Sequence, residues 1–384
     1  MPVRPILLAL SPLILAAASC GSPSSADNGS SSSDFRIQEI ARFDEPWAMA
    51  FIPGTPLALV TEKKGKLQLW EEGGTVREVA GVPAVAYASQ GGLGDVILAP
   101  DYASTGMIYL SWAEAGEGGT RGAAVGRAKL ITEGAPRLEG LTVIWRQSQK
   151  VTGGGHYSHR LAFSPDGRYL FIASGERQKF TPAQDMNSNL GKIVRLLPDG
   201  RPAPGNPFAT QGGIAAQVWS LGHRNILGLK FDQQGRLWDL EHGPAGGDEL
   251  NLVEPGRNYG WPLVSNGDHY DGKAIPRHFT RPDLAAPAIS WNPVIAPGDY
   301  IFYKGAQFPA WRGQALIGAM KPSALVRVAI EGEKAREVAR YPMEHRIREI
   351  EERGDGSVWL LEDGKESGAG RLLKLIPASQ AVSP

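Results

Sequence analysis

The sequence of 384 residues contains a single cysteine, Cys20. A disulfide within one chain is therefore excluded, so the folded part must be held together by packing. An excess of either charge is also lacking, because 40 lysine and arginine residues balance 40 aspartate and glutamate residues. A balanced chain has no electrostatic reason to bind nucleic acid. We therefore expect no nucleic-acid partner.

Long apolar runs are lacking too. The run at 6–18, which follows Arg4, is too short to span a bilayer as a mature helix, but it has the length of a signal-peptide core. Small residues directly before Cys20 resemble the site at which bacterial lipoproteins are cut and acylated. We expect residues 1–19 to be a signal peptide and 20–34 to be a lipidated cysteine with a flexible tether. The protein would then be exported to the bacterial periplasm and anchored to a membrane; the alternative is an ordinary cleavage site with a chance cysteine.

No long stretch shows the 3.6-residue apolar period of an amphipathic helix, so helices should be scarce. The chain instead repeats an apolar run, a glycine-containing turn and a second apolar run, which predicts β-hairpins. The six copies lie at 48–62, 96–112, 163–175, 231–243, 308–320 and 352–364. Six copies over residues 35–377 give about 57 residues per unit, enough for four strands and their loops. The sequence therefore predicts an all-β, six-bladed β-propeller at 35–377, followed by a short tail at 378–384.

Residues 241–261, E-H-G-P-A-G-G-D-E-L-N-L-V-E-P-G-R-N-Y-G-W, have the composition of a cation-binding loop. Gly243 and Pro244 can expose successive carbonyl groups, since glycine has no Cβ and proline has no N–H. Glu249 with the carbonyl of Tyr259 could build a second oxygen site, and such ligands suit calcium better than zinc. The simpler interpretation of a Gly-Pro pair with nearby acids is a loop that joins two strands.

The same segment closely resembles the calcium loop of the soluble glucose and aldose sugar dehydrogenases that depend on pyrroloquinoline quinone (PQQ). Further matches to that family occur in order along the chain. One of them, G-G-G-H-Y-S-H-R-L at 153–161, implies that His156 is the catalytic base. Histidine suits this role because its ordinary pKa lies near neutrality. His159 is three residues further on a segment expected to be extended, so the two side chains should point to opposite faces and share no metal ion.

Other matches imply the residues that hold the cofactor and the sugar. The implied cofactor contacts are Arg224, Asn225, Trp291, Lys321, Arg346 and Arg348, and the implied sugar contact is Gln90. Arg224 is also implied to be catalytic, because it would stabilise charge on the quinone oxygen. Arg346 and Arg348 are two apart on a predicted strand and should share a face, on which we expect no nearby acids. Such a pair needs an anion, and PQQ carries three carboxylates.

The resemblance implies a PQQ- and calcium-dependent enzyme that oxidises aldose sugars at C1 to the lactone. Electrons would pass to an external acceptor such as a cytochrome or a quinone. The residue before the base is Gly155, where soluble glucose dehydrogenase has an acid, so the aldose sugar dehydrogenases are the closer likeness. Two alternatives stay open: a calcium-dependent lactone hydrolase on a similar propeller, and a propeller that binds partners without a cofactor.

Overall fold

The structure is a computed structural model that describes residues 1–2, 34–365 and 368–378. Within these residues, 24 strands form six four-stranded antiparallel sheets around a central axis. This confirms the predicted all-β, six-bladed β-propeller. The predicted signal peptide, Cys20 and nearly all of the tether lie outside the described residues, as does the tail beyond Ala378. No helix among the described residues is long and apolar enough to cross a membrane.

Five blades are built from four successive strands, and the sixth closes the ring. The strands are β1 (Phe35–Phe43), β2 (Pro46–Phe51), β3 (Leu57–Glu62), β4 (Lys66–Glu71), β5 (Thr75–Glu78), β6 (Leu93–Leu98), β7 (Met107–Ala115), β8 (Arg121–Ile131), β9 (Arg137–Arg146), β10 (Ser158–Phe163), β11 (Leu170–Ser174), β12 (Lys192–Leu196), β13 (Val218–Leu221), β14 (Ile226–Phe231), β15 (Leu237–Glu241), β16 (Asp248–Val253), β17 (Ile289–Trp291), β18 (Pro297–Phe302), β19 (Ala315–Ala319), β20 (Ala324–Glu331), β21 (Lys334–Pro342), β22 (Ile347–Glu352), β23 (Val358–Glu362) and β24 (Gly370–Pro377). One helical turn, α1 (Tyr102–Thr105), and short 3₁₀ turns at Glu117–Gly119, Thr181–Gln184, Ala209–Gln211, Ala215–Gln217, His278–Thr280 and Pro309–Trp311 lie in the loops.

Blades 1 to 5 are β2–β5, β6–β9, β10–β13, β14–β17 and β18–β21, and blade 6 is β22–β24 with β1. The innermost strands β2, β6, β10, β14, β18 and β22 contact one another around the axis. Each of the six repeated copies found in the sequence covers the turn between the first and second strands of one blade. Sequence repetition therefore identified the innermost hairpin of every blade.

The chain ends meet in blade 6, where β1 forms the outermost strand. Phe35 pairs with Pro377 and Phe43 pairs with Gly370. β24 pairs in turn with β23, and β23 pairs with β22. Following these pairings across the blade, Phe43 lies level with the start of β22 and Phe35 lies level with its end. Residues before Phe35 therefore join the propeller at the end where the innermost strands finish.

The blades are held together by apolar side chains packed between neighbouring sheets. Every residue of β11, β15, β19 and β23 is buried, because both faces of these second strands are covered by adjacent blades. Trp70 and Trp359, for example, meet edge to face between blades 1 and 6, with ring centroids 5.8 Å apart. These strands are mainly apolar, with a few buried polar residues such as Asp239 and Glu241 in β15.

Arg160, on β10 of blade 3, is a fully buried cation on the axis. Its Nη1 lies 3.3 Å from Oδ1 of Asp95, its Nη2 lies 2.7 Å from Oε2 of Glu349, and its Nε lies 3.8 Å from Oδ1 of Asp299. Burial lowers the pKa of the guanidinium, but the three carboxylates outweigh burial and raise it above its usual value. Arg160 therefore stays charged and ties blade 3 to blades 2, 5 and 6.

The remaining contacts of Arg160 reach the other blades. Its Nε donates a hydrogen bond of 2.7 Å to the carbonyl of Leu227 in blade 4. Its guanidinium carbon lies 4.0 Å from the ring centroid of Trp47 in blade 1, as in a cation–π contact. One side chain therefore contacts all five other blades.

Replacing Arg160 with methionine should strongly destabilise the propeller, because it leaves buried carboxylates without their cation. We expect the free energy of unfolding, measured by chemical denaturation, to fall by about 3–5 kcal/mol. Arg168→Met is the control, since Arg168 makes an exposed ion pair with Asp166 and should leave that free energy nearly unchanged. Similar losses in both variants would contradict this account of the axis.

Candidate active site

All six innermost strands are irregular close to their first residues. Register shifts occur between Pro46/Ala48, Leu93/Val96, Ser158/Leu161, Ile226/Gly228, Pro297/Asp299 and Ile347/Glu349. Such bulges redirect side chains and are common beside active sites. They surround one mouth of the central channel, where a cavity of about 280 Å³ opens. Predicted site residues that line it are Gln90, Asn225, Arg346 and Arg348.

A larger depression, of about 780 Å³, lies at the opposite end of the channel. Phe163 and Phe231, at the ends of β10 and β14, line it together with Lys230 and Glu351. None of the residues predicted from the sequence to take part in function lies there. The candidate active site therefore lies at the other mouth, where the innermost strands begin.

His156 lies directly before β10, in a loop with unusual backbone geometry. Its φ is 51°, and positive φ in a residue other than glycine is uncommon and often found at functional sites. Oε1 of Gln90 accepts a hydrogen bond of 2.7 Å from the backbone N–H of His156. Nδ1 of the ring is hydrogen-bonded to Oε1 of Glu176. No partner of Nε2 is found in the described residues, so Nε2 is the nitrogen that can accept a proton.

The electrostatic surroundings keep His156 neutral at pH 7. Burial lowers its pKa, the hydrogen bond to Glu176 acts in the opposite direction, and the charge of Arg224 lowers it again. The net result is a pKa below the usual histidine value. Burial raises the pKa of Glu176, but its hydrogen bond to His156 brings the net value below normal, so the carboxylate is ionised. The pair is therefore arranged as a neutral base with a carboxylate behind it.

Glu176 was missed by the sequence analysis, and the repeated hairpins do not point to it. In three other blades the second strand ends in a glutamate, Glu62, Glu241 or Glu362, but the matching residue of blade 3 is Ser174. The carboxylates of Glu62 and Glu241 accept hydrogen bonds from backbone N–H groups at 2.7 and 2.6 Å. Glu176 lies two residues beyond that position, in the loop after β11, so comparing the hairpins position by position does not indicate it.

Gly155 has its side-chain space filled from another loop. A Cβ at this position would lie 2.7 Å from the amide group of Gln178. Any side chain at 155, acidic or not, would displace Gln178, so the polar group next to the base is an amide that the sequence analysis did not consider.

The cavity is rich in cations, and one expectation about them is wrong. Arg346 and Arg348 both line it, but Asp363 lies between them, with its Oδ2 2.6 Å from Nε of Arg346 and 3.6 Å from Nη2 of Arg348. The expected absence of acids was wrong because Asp363 comes from the loop after the paired strand β23, and strand periodicity does not reveal such a contact.

Lys63 and Lys365 also line the cavity and were missed by the sequence analysis. Burial and the neighbouring Arg346 lower the pKa of Arg348 to about 10, which still leaves it charged at pH 7.

Arg224 and Asn225 follow β13 and connect the cavity to the 241–261 loop. Nη1 of Arg224 donates to the carbonyl of His242 at 3.0 Å, and Nη2 donates to the hydroxyl of Tyr270 at 3.3 Å. Oδ1 of Asn225 accepts a hydrogen bond of 3.3 Å from the backbone N–H of Ser158. His242 lines the cavity, so Arg224 lies at its edge and Asn225 lies in its wall.

The Gly243-Pro244 turn is fixed by a buried carboxylate. Oδ1 of Asp248 accepts from the N–H of Gly243 at 2.9 Å, and its Oδ2 accepts from the N–H groups of residues 295 and 296. A Cβ on Gly243 would lie 2.2 Å from a backbone oxygen of the same turn, so only glycine fits. No donor to the carbonyl oxygens of Gly243 and Pro244 is found in the described part of the chain. Both oxygens are therefore free to bind a cation.

Glu249 and Tyr259 lie beside this turn. Together with Arg224, Gly243 and Pro244 they line a small cavity of about 10 Å³, the size of a single water-sized occupant. Glu249, however, already has a partner, because its Oε1 lies 3.2 Å from Nε2 of His278. Burial lowers the pKa of His278, but Glu249 outweighs burial and raises it. His278 therefore competes with any metal ion for this carboxylate.

His156 itself does not line the cavity, although the next residues Tyr157 and Ser158 do. Trp291 and Lys321, also implied by the resemblance, are not brought into the cavity either. The side chain of Trp291 packs in the core between blades 4 and 5, and its indole N–H donates to Oε2 of Glu337 at 2.9 Å. Its carbonyl instead accepts from the N–H of Gly247, within the calcium-loop turn. Lys321 is exposed and follows Met320, which lines the cavity, so it lies at the rim.

His159 has other side-chain partners than His156, although the segment that joins them is not extended as expected, because His156, Ser158 and His159 have positive φ. His159 also lines the cavity. Its ring stacks on Trp47 at 5.0 Å between centroids, and its Nδ1 is 2.8 Å from the hydroxyl of Ser111. Burial lowers the pKa of His159 to about 3. His159 is therefore a neutral, structurally engaged ring.

Comparison with known proteins shows which family the chain belongs to. Residues 43–374 match the model described as glucose/sorbosone dehydrogenase. The chain belongs to this family. It is 37% identical over 344 residues to aldose sugar dehydrogenase YliI of Escherichia coli (strain K12), covering 88% of this chain and 91% of that protein. The family resemblance stated from the motifs is thereby confirmed.

Solved structures of glucose/sorbosone dehydrogenase relatives share the fold. A crystal structure of a glucose dehydrogenase is 41% identical, covers 88% of this chain and 98% of its own, and superimposes with a TM-score of 0.82. The PQQ-bound form of aldose sugar dehydrogenase from Streptomyces coelicolor is 26% identical, covers 90% and 99%, and has a TM-score of 0.73. The roles of individual residues in this chain stay predictions.

Glu176→Gln should lower the pKa of His156 further, because the amide removes the charge that favours the imidazolium. Titration of the His156 ring by NMR should give a value below about 6.5 in the wild type and a lower one in the variant. Glu139→Gln, which alters an exposed pair with Arg137, should leave the His156 titration unchanged. A rise of the His156 pKa in Glu176→Gln would overturn the assignment of this pair.

Proposed function

We propose that this protein oxidises aldose sugars at C1 to the lactone, using PQQ and calcium, and passes the electrons to an external acceptor. The observation that carries the proposal is the neutral His156, backed by Glu176 and placed beside a cation-rich cavity. Membership of the glucose/sorbosone dehydrogenase family supports it, as does the PQQ-bound form of the Streptomyces coelicolor relative.

The cavity has the donors that a tricarboxylate requires. Arg346, Arg348 and Lys63 line it, and Lys321 lies at the rim. Guanidinium groups bind carboxylates through paired hydrogen bonds, which makes the two arginines the strongest contacts for the cofactor. Asp363 would hold both arginines in place while it leaves other N–H groups of their guanidiniums free.

The free carbonyls of Gly243 and Pro244 fit a calcium ion, which prefers oxygen ligands. The second site, at Glu249 and Tyr259, fits less well because His278 already occupies the Glu249 carboxylate. When bound, PQQ supplies the two-electron acceptor and calcium polarises its reactive carbonyl. Asp248 would keep the turn in the conformation that presents both carbonyls.

His156 would act on the sugar as the general base. Its Nε2 takes the proton of the C1 hydroxyl, and the Glu176 carboxylate stabilises the imidazolium through Nδ1. Gln90 would hold the backbone of His156 and present its remaining amide group to the sugar. Arg224, at the edge of the cavity, would stabilise negative charge that develops during the reaction.

The function is tested by dye reduction with a panel of aldoses after the purified protein is loaded with PQQ and calcium. Activity should require both, disappear on chelation and return with calcium. Aldose oxidation with nicotinamide alone would refute the proposal. Lactone hydrolysis without PQQ would favour the hydrolase, and no turnover of any aldose by PQQ-loaded protein would favour a binding propeller.

His156→Gln should reduce turnover by roughly 10²–10⁴-fold, because glutamine cannot accept the proton. PQQ binding, measured by its absorbance on the protein, should be largely kept. His159→Gln is the matched control, and its turnover per bound PQQ should fall far less, since the His159 ring is engaged with Trp47 and Ser111. Equal losses in the two variants would show that the roles are wrongly assigned.

We also propose that Cys20 carries a lipid that anchors the exported protein to a membrane surface. The chain before Phe35 joins the propeller at the end opposite to the cavity, which supports an anchor that leaves the cavity open. Wild-type protein expressed in a bacterial host should pellet with membranes and incorporate labelled fatty acid, whereas Cys20→Ala should do neither. Unlabelled wild-type protein in the soluble fraction would exclude the anchor.

A further inference from the structure

Arg177 is a buried cation without an acidic partner. Its side chain is fully buried in the loop that follows β11. Arg160, the other fully buried arginine of blade 3, is paired with carboxylates, but no ion pair of Arg177 is found in residues 34–365 and 368–378. Burial of an unpaired charge is costly, and burial lowers the pKa of this guanidinium. A cost of this kind calls for a role that a neutral side chain would not fill.

The contacts of Arg177 surround His156 on both sides. One guanidinium nitrogen, Nη1, donates to the carbonyl of Gly155, and Nη2 donates to the carbonyl of Gly153 at 2.8 Å. The guanidinium carbon lies 3.7 Å from the ring centroid of Tyr157. The backbone N–H of Arg177 donates to the carbonyl of His156 itself at 3.2 Å. Arg177 therefore contacts the residues before His156, His156 itself and the residue after it.

The backbone held in this way is strained. His156 has a φ of 51° and Arg177 has a φ of 60°, and such conformations persist only where the surroundings enforce them. Glu176, the residue before Arg177, binds the ring of His156. Two neighbouring residues therefore both position the base. The carboxylate orients the imidazole, and the guanidinium fixes the backbone that carries it.

We propose that Arg177 is a positioning residue for the base: it fixes the 153–157 loop and places a positive charge beside the backbone of His156. This inference rests on the proposed function and adds to it a residue that acts only through His156. The charged or titratable groups that face His156 are Glu176, Arg177, Arg224 and His242. Arg177 and Arg224 both lower the pKa of His156, while Glu176 raises it.

Two substitutions separate position from charge. Arg177→Met removes both, so kcat should fall about 100-fold, as expected when a reacting group is displaced by about 1 Å. The acid limb of its pH profile should move to higher pH, because the loss of a nearby positive charge raises the pKa of His156. Arg177→Lys keeps the charge but cannot reach both carbonyls, so it should keep the acid limb near that of the wild type and recover only part of kcat. In both variants KM for the aldose and the affinity for PQQ should change less than about threefold, since Arg177 touches neither.

Arg195→Met is the matched control. Arg195 also packs on aromatic rings, at 4.3 Å from the centroid of Trp219, and donates to the carbonyl of Pro204 at 2.8 Å, but it lies away from the cavity. The Arg195→Met variant should have a lower melting temperature but an unchanged kcat and an unchanged pH profile. If Arg177→Met altered only the melting temperature, or if Arg177→Lys shifted the acid limb as much as Arg177→Met, the proposal would be wrong.

Titration of the His156 ring by NMR keeps the test separate from the proposed function. The ring pKa should rise in Arg177→Met and stay near the wild-type value in Arg177→Lys, whether or not the protein oxidises a sugar. Absence of aldose oxidation in the wild type would refute the proposed function alone. An unchanged His156 pKa in folded Arg177→Met would refute this inference alone. If Arg177→Met does not fold, an Arg177→Lys variant with wild-type kcat would refute it equally.

Discussion

The guanidinium of Arg160 is the contact on which the six-bladed ring depends. Each blade reaches the axis with one strand, and this side chain from blade 3 contacts the other five blades. Because an unpaired buried charge is costly, the innermost strands present Asp95, Asp299 and Glu349 at matching heights around Arg160. The cluster thereby fixes the register of these strands at the axis. A chain with a single cysteine can close its ring in this way without a disulfide.

The same anchor determines the geometry of the candidate active site. Ser158 and His159, directly before Arg160, have φ values of 56° and 54°, and β10 bulges between Ser158 and Leu161. Since Arg160 and His159 both pack on Trp47, the start of β10 is held at the axis and the preceding chain must turn sharply outward. His156 lies on that turn. The strain at the base is therefore a consequence of how blade 3 is fastened to the ring.

Local sequence patterns correctly predicted the features that depend on residues close together in the chain. The repeated hairpins gave the six blades, and the Gly243-Pro244 turn has the free carbonyls that its composition suggested. The expected absence of acids near the two arginines was wrong, because Asp363 lies between them. The contact of His278 with Glu249 and the pairing of the strand from residue 35 in blade 6 were not predicted at all. Strand periodicity says which face a side chain is on, but it does not say which loop of another strand meets that face. Trp291 shows the same limit, because only its packing reveals that the indole lies in the core.

A chain without net charge can still build an anion site if it separates its charges along the axis. Four cations but two acids line the cavity: Lys63, Arg346, Arg348 and Lys365 against Glu45 and Asp363. Below the cavity the balance is reversed, because two cations face four acids: Arg160 and Lys230 against Asp95, Asp299, Glu349 and Glu351. Asp363 is the acid that most favours the charged form of Arg348, whereas of the axial groups Arg160 lowers this pKa more than Glu349 raises it. Part of the hydrogen-bonding capacity of the four cations faces the mouth, so the positive potential there comes from this segregation and not from composition.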